Sequence, residues 1–421
     1  MSPSKCTTVI AGILEDRTFN HICFIAESLS TLLPNFYYKC IYKSSSEWEV
    51  YDVKLQQRKC LCTPEECHQI TIIGAGTSVC PDLVCQLLMT KELWWTHGII
   101  INLYDEPGCF FKLKKIHRDA RAVGSGLNRV TVLDNVPDGL KDCNILIYLD
   151  SFLREEHEGT DELLQRNYKY IEGLCIQINE YAPPSMKVIF CSPGFTCFYV
   201  NIVHKLVTKL PSTNIVAVSS HYGLELIYPL VHSLGYTLKN FGCPPVWGYL
   251  GLFLHYSTIG INYFVDVDRM IQKVQTPQHA ELRWFFYMSH NKKPYKENLK
   301  RKALAQYQLG RSEDFQKCRA ICDLLKLWYS KKENIGDEII SLGIASDGSF
   351  GIPKGLVFSQ PVHLKVLEDN SRIWIPFKDF PMPNMPISIF RSFIDTAIII
   401  NEKITELIQN SKFKEKFPEI I

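Results

Sequence analysis

Gln69-Ile70-Thr71-Ile72-Ile73-Gly74-Ala75-Gly76 is a nearly unbroken apolar run that ends in two glycines one residue apart. A run of this length and composition predicts a strand buried on both faces. Glycines at its end let the chain turn sharply into a helix whose first amides face outward. Apolar spacing from Val79 to Leu88 predicts that helix. Working outward, the alternation repeats: GIIINLYD (98–105), a helix around Lys112 to Ala122, RVTVLD (129–134), NILIYLDS (144–151), a helix from Asp161 to Ala182, and KVIFCS (187–192). Strands alternating with helices imply an α/β fold with a doubly wound parallel sheet of about six strands, the Rossmann-type arrangement of a dinucleotide-binding domain. We assign this domain to 69–195.

Downstream the pattern is mixed. A helix (FYVNIVHKLVTKL) and a run IVAVSS lead into a Gly/Pro-rich patch at Gly242 to Gly251. A second, α+β domain is assigned to 196–421. Its clearest pieces are an amphipathic helix from Glu313 to Tyr329, a strand EIISLGIAS turned by Asp347-Gly348, a strand GLVFSQPVHLKV, and a long C-terminal helix. That helix carries Phe390, Phe393, Ile394, Ala397, Ile398, Ile404 and Leu407 along one face. Upstream, Thr7 to Lys43 reads as strand, helix, strand. We assign 1–50 to a small βαβ unit and 51–68 to a polar linker.

Composition narrows the function classes. Of 421 residues, 46% are hydrophobic and 21% charged, as in folded globular chains, and the formal charge of +2 gives no electrostatic case for nucleic acid. The start, MSPSKCTTVIAG, lacks the features of a signal peptide, so a cytoplasmic protein is expected. The longest apolar run near the C-terminus, Ala397 to Ile400, is broken by Asn401, Glu402 and Lys403, and no membrane span is expected. Sixteen cysteines without a secretory signal predict reduced thiols. Cys60, Cys62, Cys67 and His68 have metal-ligand chemistry. Their spacing lacks a second paired set, and no metal is expected.

Gly74 and Gly76 open a helix after a buried strand, the setting in which backbone amides approach a pyrophosphate. The third glycine of the G-x-G-x-x-G fingerprint is replaced by Val79. Asp105 ends the second strand, where a carboxylate takes the ribose hydroxyls and disfavours a 2′-phosphate. NAD is therefore the expected cofactor, with Gly74, Gly76 and Asp105 as its contacts.

One C-terminal segment narrows the reading further: Asp337-Glu338-Ile339-Ile340-Ser341-Leu342-Gly343-Ile344-Ala345-Ser346-Asp347-Gly348, then Phe350-Gly351-Ile352-Pro353-Lys354-Gly355-Leu356-Val357-Phe358-Ser359 and Pro361-Val362. Together with GAGTSV, the Asp105 strand, the Arg154 loop and RAICDLLKLWY, it resembles the lactate/malate dehydrogenase family on its cytosolic malate dehydrogenase branch. The resemblance covers roughly 70 to 415. The N-terminal unit, which is similar to half of a thioredoxin-like fold without its cysteine pair, points to the malate dehydrogenase 1B group of that branch.

What the resemblance implies is hydride transfer between a nicotinamide and a dicarboxylate, malate or oxaloacetate. An Asp-oriented His would take the hydroxyl proton, and arginines would clamp the carboxylates. Arg154 matches the first loop arginine, while Glu155 and Thr160 stand where the next two are expected. Ser192, before Pro193, replaces an asparagine, Ser220 the orienting Asp, and Gly223 the substrate arginine. Without a gap, the general base falls on Leu250; with one, His255 is the candidate. The expectation is a malate dehydrogenase-like protein of weak or lost activity. The alternatives are an inactive NAD-binding or scaffold protein and an active enzyme using His255. The resemblance also implies a homodimer.

Overall fold

The computed structural model describes the backbone of residues 38–44 and 47–52, and residues 67–93, 98–123, 129–150, 158–192, 195–224, 243–251, 263–266, 314–330 and 338–411. The chain divides after Cys67 into two compact units. In the first, β1 (Tyr38–Ser44) pairs antiparallel with β2 (Glu47–Asp52), Tyr38 opposite Asp52 and Cys40 opposite Val50. The expected strand is there, but its described neighbour is an antiparallel hairpin partner that the βαβ reading did not include. The alternation of Glu47, Trp48, Glu49 and Val50 is a strand period that the charges obscure. The expected strand and helix before Tyr38 lie outside the described residues.

The second unit holds six parallel strands: β3 (His68–Ile73), β4 (Ile99–Tyr104), β5 (Arg129–Val132), β6 (Ile145–Tyr148), β7 (Lys187–Phe190) and β8 (Ile215–Val218). Their order is β5-β4-β3-β6-β7-β8, the doubly wound arrangement that reverses direction between its first and fourth strands. Every residue of β3, β6 and β8 is buried, as both faces of a parallel sheet require. On β5, at the edge, Arg129 is exposed and only Val130 is buried.

Helices α1 (Val79–Met89), α2 (Phe110–Val123), α3 (Val136–Leu140), α4 (Thr160–Tyr181) and α5 (Thr196–Leu206) cover the faces. The α1 helix buries Val79, Cys80, Leu83, Val84, Leu87 and Leu88, a stripe at three- and four-residue spacing. Two local caps start helices. The Asn135 side chain accepts from Asp138 N at 2.9 Å before α3, and Gly159 N donates to the Glu162 carboxylate at 2.9 Å before α4.

The sheet does not stop at β8. After β9 (Val246–Gly248) and β10 (Tyr263–Val265) come α6 (Asp314–Tyr329), β11 (Ile339–Ala345), β12 (Val357–Val366), β13 (Arg372–Pro376) and α7 (Ile387–Gln409). β11 joins β8 antiparallel, Leu342 opposite Val218 and Gly343 opposite Ala217. The result is one sheet of eleven strands. The α6 helix packs beside α1, where Cys318 Sγ donates to Val79 O at 3.5 Å. On the other face α7 covers α5, with Lys205 Nζ donating to Thr405 Oγ1 at 3.0 Å. That cover explains why α5 is buried nearly all round.

The boundary expected at 195/196 therefore falls before the sixth parallel strand, inside a continuous sheet. Cys80, Cys85, Cys109, Cys143, Cys175, Cys197 and Cys322 are free thiols. Among the described residues no helix is long and apolar enough to cross a membrane.

His68, fully buried at the start of β3, titrates at about 4 instead of 6.5 because burial disfavours its charge, with nearby Lys187 adding to the effect. The unfolded chain thus binds the proton between pH 6.5 and 4 while the folded chain does not. Stability from this histidine is complete above about 6.5 and is lost as pH falls toward 4. Urea unfolding at pH 7 and 4.5 is expected to show a loss on the order of 3 kcal/mol from this group. The acid slope should be shallower in His68→Leu.

Candidate active site

The strand order reverses between β3 and β6, which stay paired up to Ile73 opposite Tyr148, and the C-terminal edge at such a switch point is where open α/β sheets take ligands. The turn after β3 is wound tightly at this edge. Gly74 has φ +77°, and a Cβ there would lie 2.5 Å from Asp150 N and 2.8 Å from Asp150 Cα. Only glycine allows both this conformation and this approach to the chain leaving β6. Ala75 N donates to Tyr104 O at 3.1 Å and Thr77 N to Gly74 O at 3.1 Å, so the turn is held from both sides before α1 begins. The first-turn amides of α1 have no intrahelical acceptor and face out of the helix end.

Asp105 stands at the end of β4 and joins this turn. Its Oδ2 accepts from Gly76 N at 2.6 Å and its Oδ1 from Glu106 N at 2.7 Å. Cys109 closes the other side, since a Cβ on Gly76 would lie 2.6 Å from its Sγ and 2.8 Å from Asp105 Oδ2. Lys112 Nζ donates to Gly76 O. Burial, together with the charge of Asp105 and a hydrogen bond to it, raises the Cys109 thiol above its ordinary range. Gly74, Gly76 and Asp105 are thus brought together. Cys109 and Lys112 complete the cluster, and no local sequence signal marks them.

At the end of β7, Ser192 is fully buried and its hydroxyl has no hydrogen-bond partner among the described residues. Beyond β8, Ser220 Oγ donates to Ser341 O at 3.0 Å. Val246 N donates to Ser341 Oγ at 2.9 Å, while Ser359 Oγ donates to Val246 O at 2.7 Å and lies 2.8 Å from Ser219 Oγ. These hydroxyls stitch β8, β9, β11 and β12 together. Gly223 is pressed against Pro244: a Cβ would lie 3.0 Å from both its Cδ and its carbonyl oxygen. Leu250 is fully buried in the apolar core, and its carbonyl accepts from Cys197 N at 3.3 Å. His221 is buried with its ring centroid 4.1 Å from that of Tyr222, which lies 4.4 Å from that of Tyr263. Arg154, His255, Cys60 and Cys62 lie outside the described residues.

Comparison with known proteins follows from this geometry. The chain is 24% identical over 364 residues to the Homo sapiens protein named "Putative malate dehydrogenase 1B", covering 84% of this chain and 66% of that one. It is 24% identical over 272 residues to cytoplasmic malate dehydrogenase of Homo sapiens, covering 62% and 75%. Among solved structures, a malate dehydrogenase from Naegleria fowleri superposes with a TM-score of 0.64 at 16% identity, over 81% of this chain and 98% of the other.

The chain is similar in sequence to malate dehydrogenases and shares the fold of the lactate/malate dehydrogenases.

A second solved structure, lactate dehydrogenase of Trichomonas vaginalis in complex with NADH and oxamate, superposes with a TM-score of 0.64 at 17% identity, over 82% and 100% of the two chains. A scan against protein-family profiles finds no match. The chain spans 61–66% of the length of the three 1B relatives it matches. The positions that the sequence resemblance aligned with the family's site carry hydroxyls and apolar groups in this chain: Ser192, Ser220, Gly223 and Leu250.

Two substitutions test the packing. Gly74→Ala should destabilise the protein by about 2–4 kcal/mol, from left-handed strain plus overlap with Asp150. Gly173→Ala, on α4 with open space around it, should be neutral or stabilising by up to about 1 kcal/mol. Urea unfolding of both variants measures the contrast.

Proposed function

We propose that this chain is a dehydrogenase-like protein that binds NAD and in which malate chemistry is weak or absent. The observation that carries the reading is the contrast between the two ends of the candidate site. The nucleotide end has a tight Gly74–Gly76 turn with Asp105 beside it. The substrate end has Ser220 bonded to a backbone carbonyl and Gly223 against Pro244, where the superfamily resemblance leads one to expect an orienting carboxylate and a substrate arginine.

The residues present fit the cofactor. Asp105 would take the adenosine ribose hydroxyls by exchanging its bond to Gly76 N, and the amides at the start of α1 would face the pyrophosphate. Bound NAD would supply a hydride acceptor. This chain's own contribution would be to hold and orient it. Arg154 and Ser192 would be available to a small dicarboxylate. Ser220 at the aspartate position has no charge with which to stabilise an imidazolium, and Leu250 has no proton to exchange. A cytoplasmic homodimer belongs to the same reading.

Calorimetry with NAD and NADH tests the nucleotide half. Binding is expected, with Asp105→Ala weakening it about tenfold or more. Absence of binding would overturn the cofactor assignment. NADH absorbance with oxaloacetate tests the other half, with cytosolic malate dehydrogenase assayed in parallel. A rate about 10²–10⁴-fold or more below that enzyme is expected from loss of a positioned base. Comparable turnover that disappears in His255→Gln would overturn the reading in favour of a working enzyme with His255 as base.

A further inference from the structure

Lys187 opens β7 at the end of the parallel sheet away from the Gly74 turn. Its Nζ lies 4.0 Å from the ring centroid of Tyr329 and 4.8 Å from that of Trp328, the last two residues of α6. Both rings are fixed from behind. Trp328 Nε1 donates to Arg372 O at 2.8 Å and its ring stands edge-on to Trp374, while the His68 ring stands edge-on to Tyr329 at 4.7 Å.

Among the described residues no carboxylate pairs with Lys187. The titratable and charged groups around it are His68 from β3, Tyr329 from α6 and Arg372 from β13. None of them supplies a negative charge. His68 is neutral at pH 7, burial keeps the Tyr329 hydroxyl protonated, and the Arg372 guanidinium repels an ammonium. Ring faces are a weaker partner for a cation than a carboxylate. Burial first, then Arg372, lowers the Lys187 amine to about 8. The side chain remains partly exposed, so a small reagent reaches it.

We propose that Lys187 is an acylation site, a nucleophilic amine set between two aromatic rings that reacts with small acyl thioesters. The neutral Nζ attacks the thioester carbonyl, the C–N bond forms and the C–S bond breaks. The sulfur departs as thiolate, and the proton lost from nitrogen passes to water or to that thiolate. No oxidant or metal is needed. The product amide is uncharged and removes the one cation that the Trp328 and Tyr329 faces hold.

The full chain is treated with the acetyl thioester of N-acetylcysteamine at pH 7.4, and acetylation is followed by peptide mass spectrometry at Lys187 and at exposed Lys115, Lys354 and Lys365. Lys187 is expected to react about tenfold faster than the exposed lysines. That preference should vanish in 8 M urea (roughly the concentration that exposes every side chain). Arg372→Gln should slow Lys187 several-fold at pH 7.4 and leave the exposed lysines unchanged. A wild-type rate at Lys187 equal to or below that of the exposed lysines would overturn the proposal, and so would a preference that survives in urea.

Discussion

Gly74 has room for a hydrogen and nothing larger, because the backbone of Asp150 passes where a Cβ would stand. This contact sits where the strand order of the sheet reverses, between the first and fourth parallel strands. The two strands stay paired to their ends, and the close approach fixes how the chain leaves each of them. Asp105 joins the turn only because Gly76 offers it an amide, and α1 starts at the right place only because the turn closes on Tyr104 and Gly74. A steric constraint at one residue thus sets the positions of three elements. The Asp105 carboxylate and the helix end depend on it.

The substrate end obeys a different constraint. A buried carboxylate, imidazole and guanidinium stabilise one another when all three are present, and removing one leaves the others as uncompensated charges. Here the aligned positions are neutral together: Ser220, Leu250 and Gly223. The hydroxyls of Ser219, Ser220, Ser341 and Ser359 find carbonyl, amide or hydroxyl partners across four strands, so the end of the sheet closes as ordinary structure. Pro244 occupies the ground beside Gly223.

Much of this is local and was readable. The run from Gln69 to Gly76, the acid at Asp105 and the helix of residues 314–329 each announce themselves through spacing or through a residue type tied to a backbone need. Other features depend on what lies far away in the chain. Cys109 sits across the turn from Gly76 because α2 is placed there by the sheet, and nothing within a few residues of either signals it. Strand β2 was masked because its charges outweighed its alternation. The joining of the sheet's two parts is of the same kind: only the pairing of β11 with β8 shows that the strands run on beyond the parallel six. Arg154 and His255 lie outside the described residues, so the arginine loop and the candidate base stand as sequence readings.

The pairing of β11 with β8, Leu342 against Val218 and Gly343 against Ala217, has a mechanical side. Two lobes joined by a linker can swing about it and close over a ligand like a jaw. Here the parallel and antiparallel halves are joined by backbone hydrogen bonds within one sheet, and α6 is strapped back across α1 from the far half. A swing between them would have to tear those bonds. The two halves therefore move as one piece.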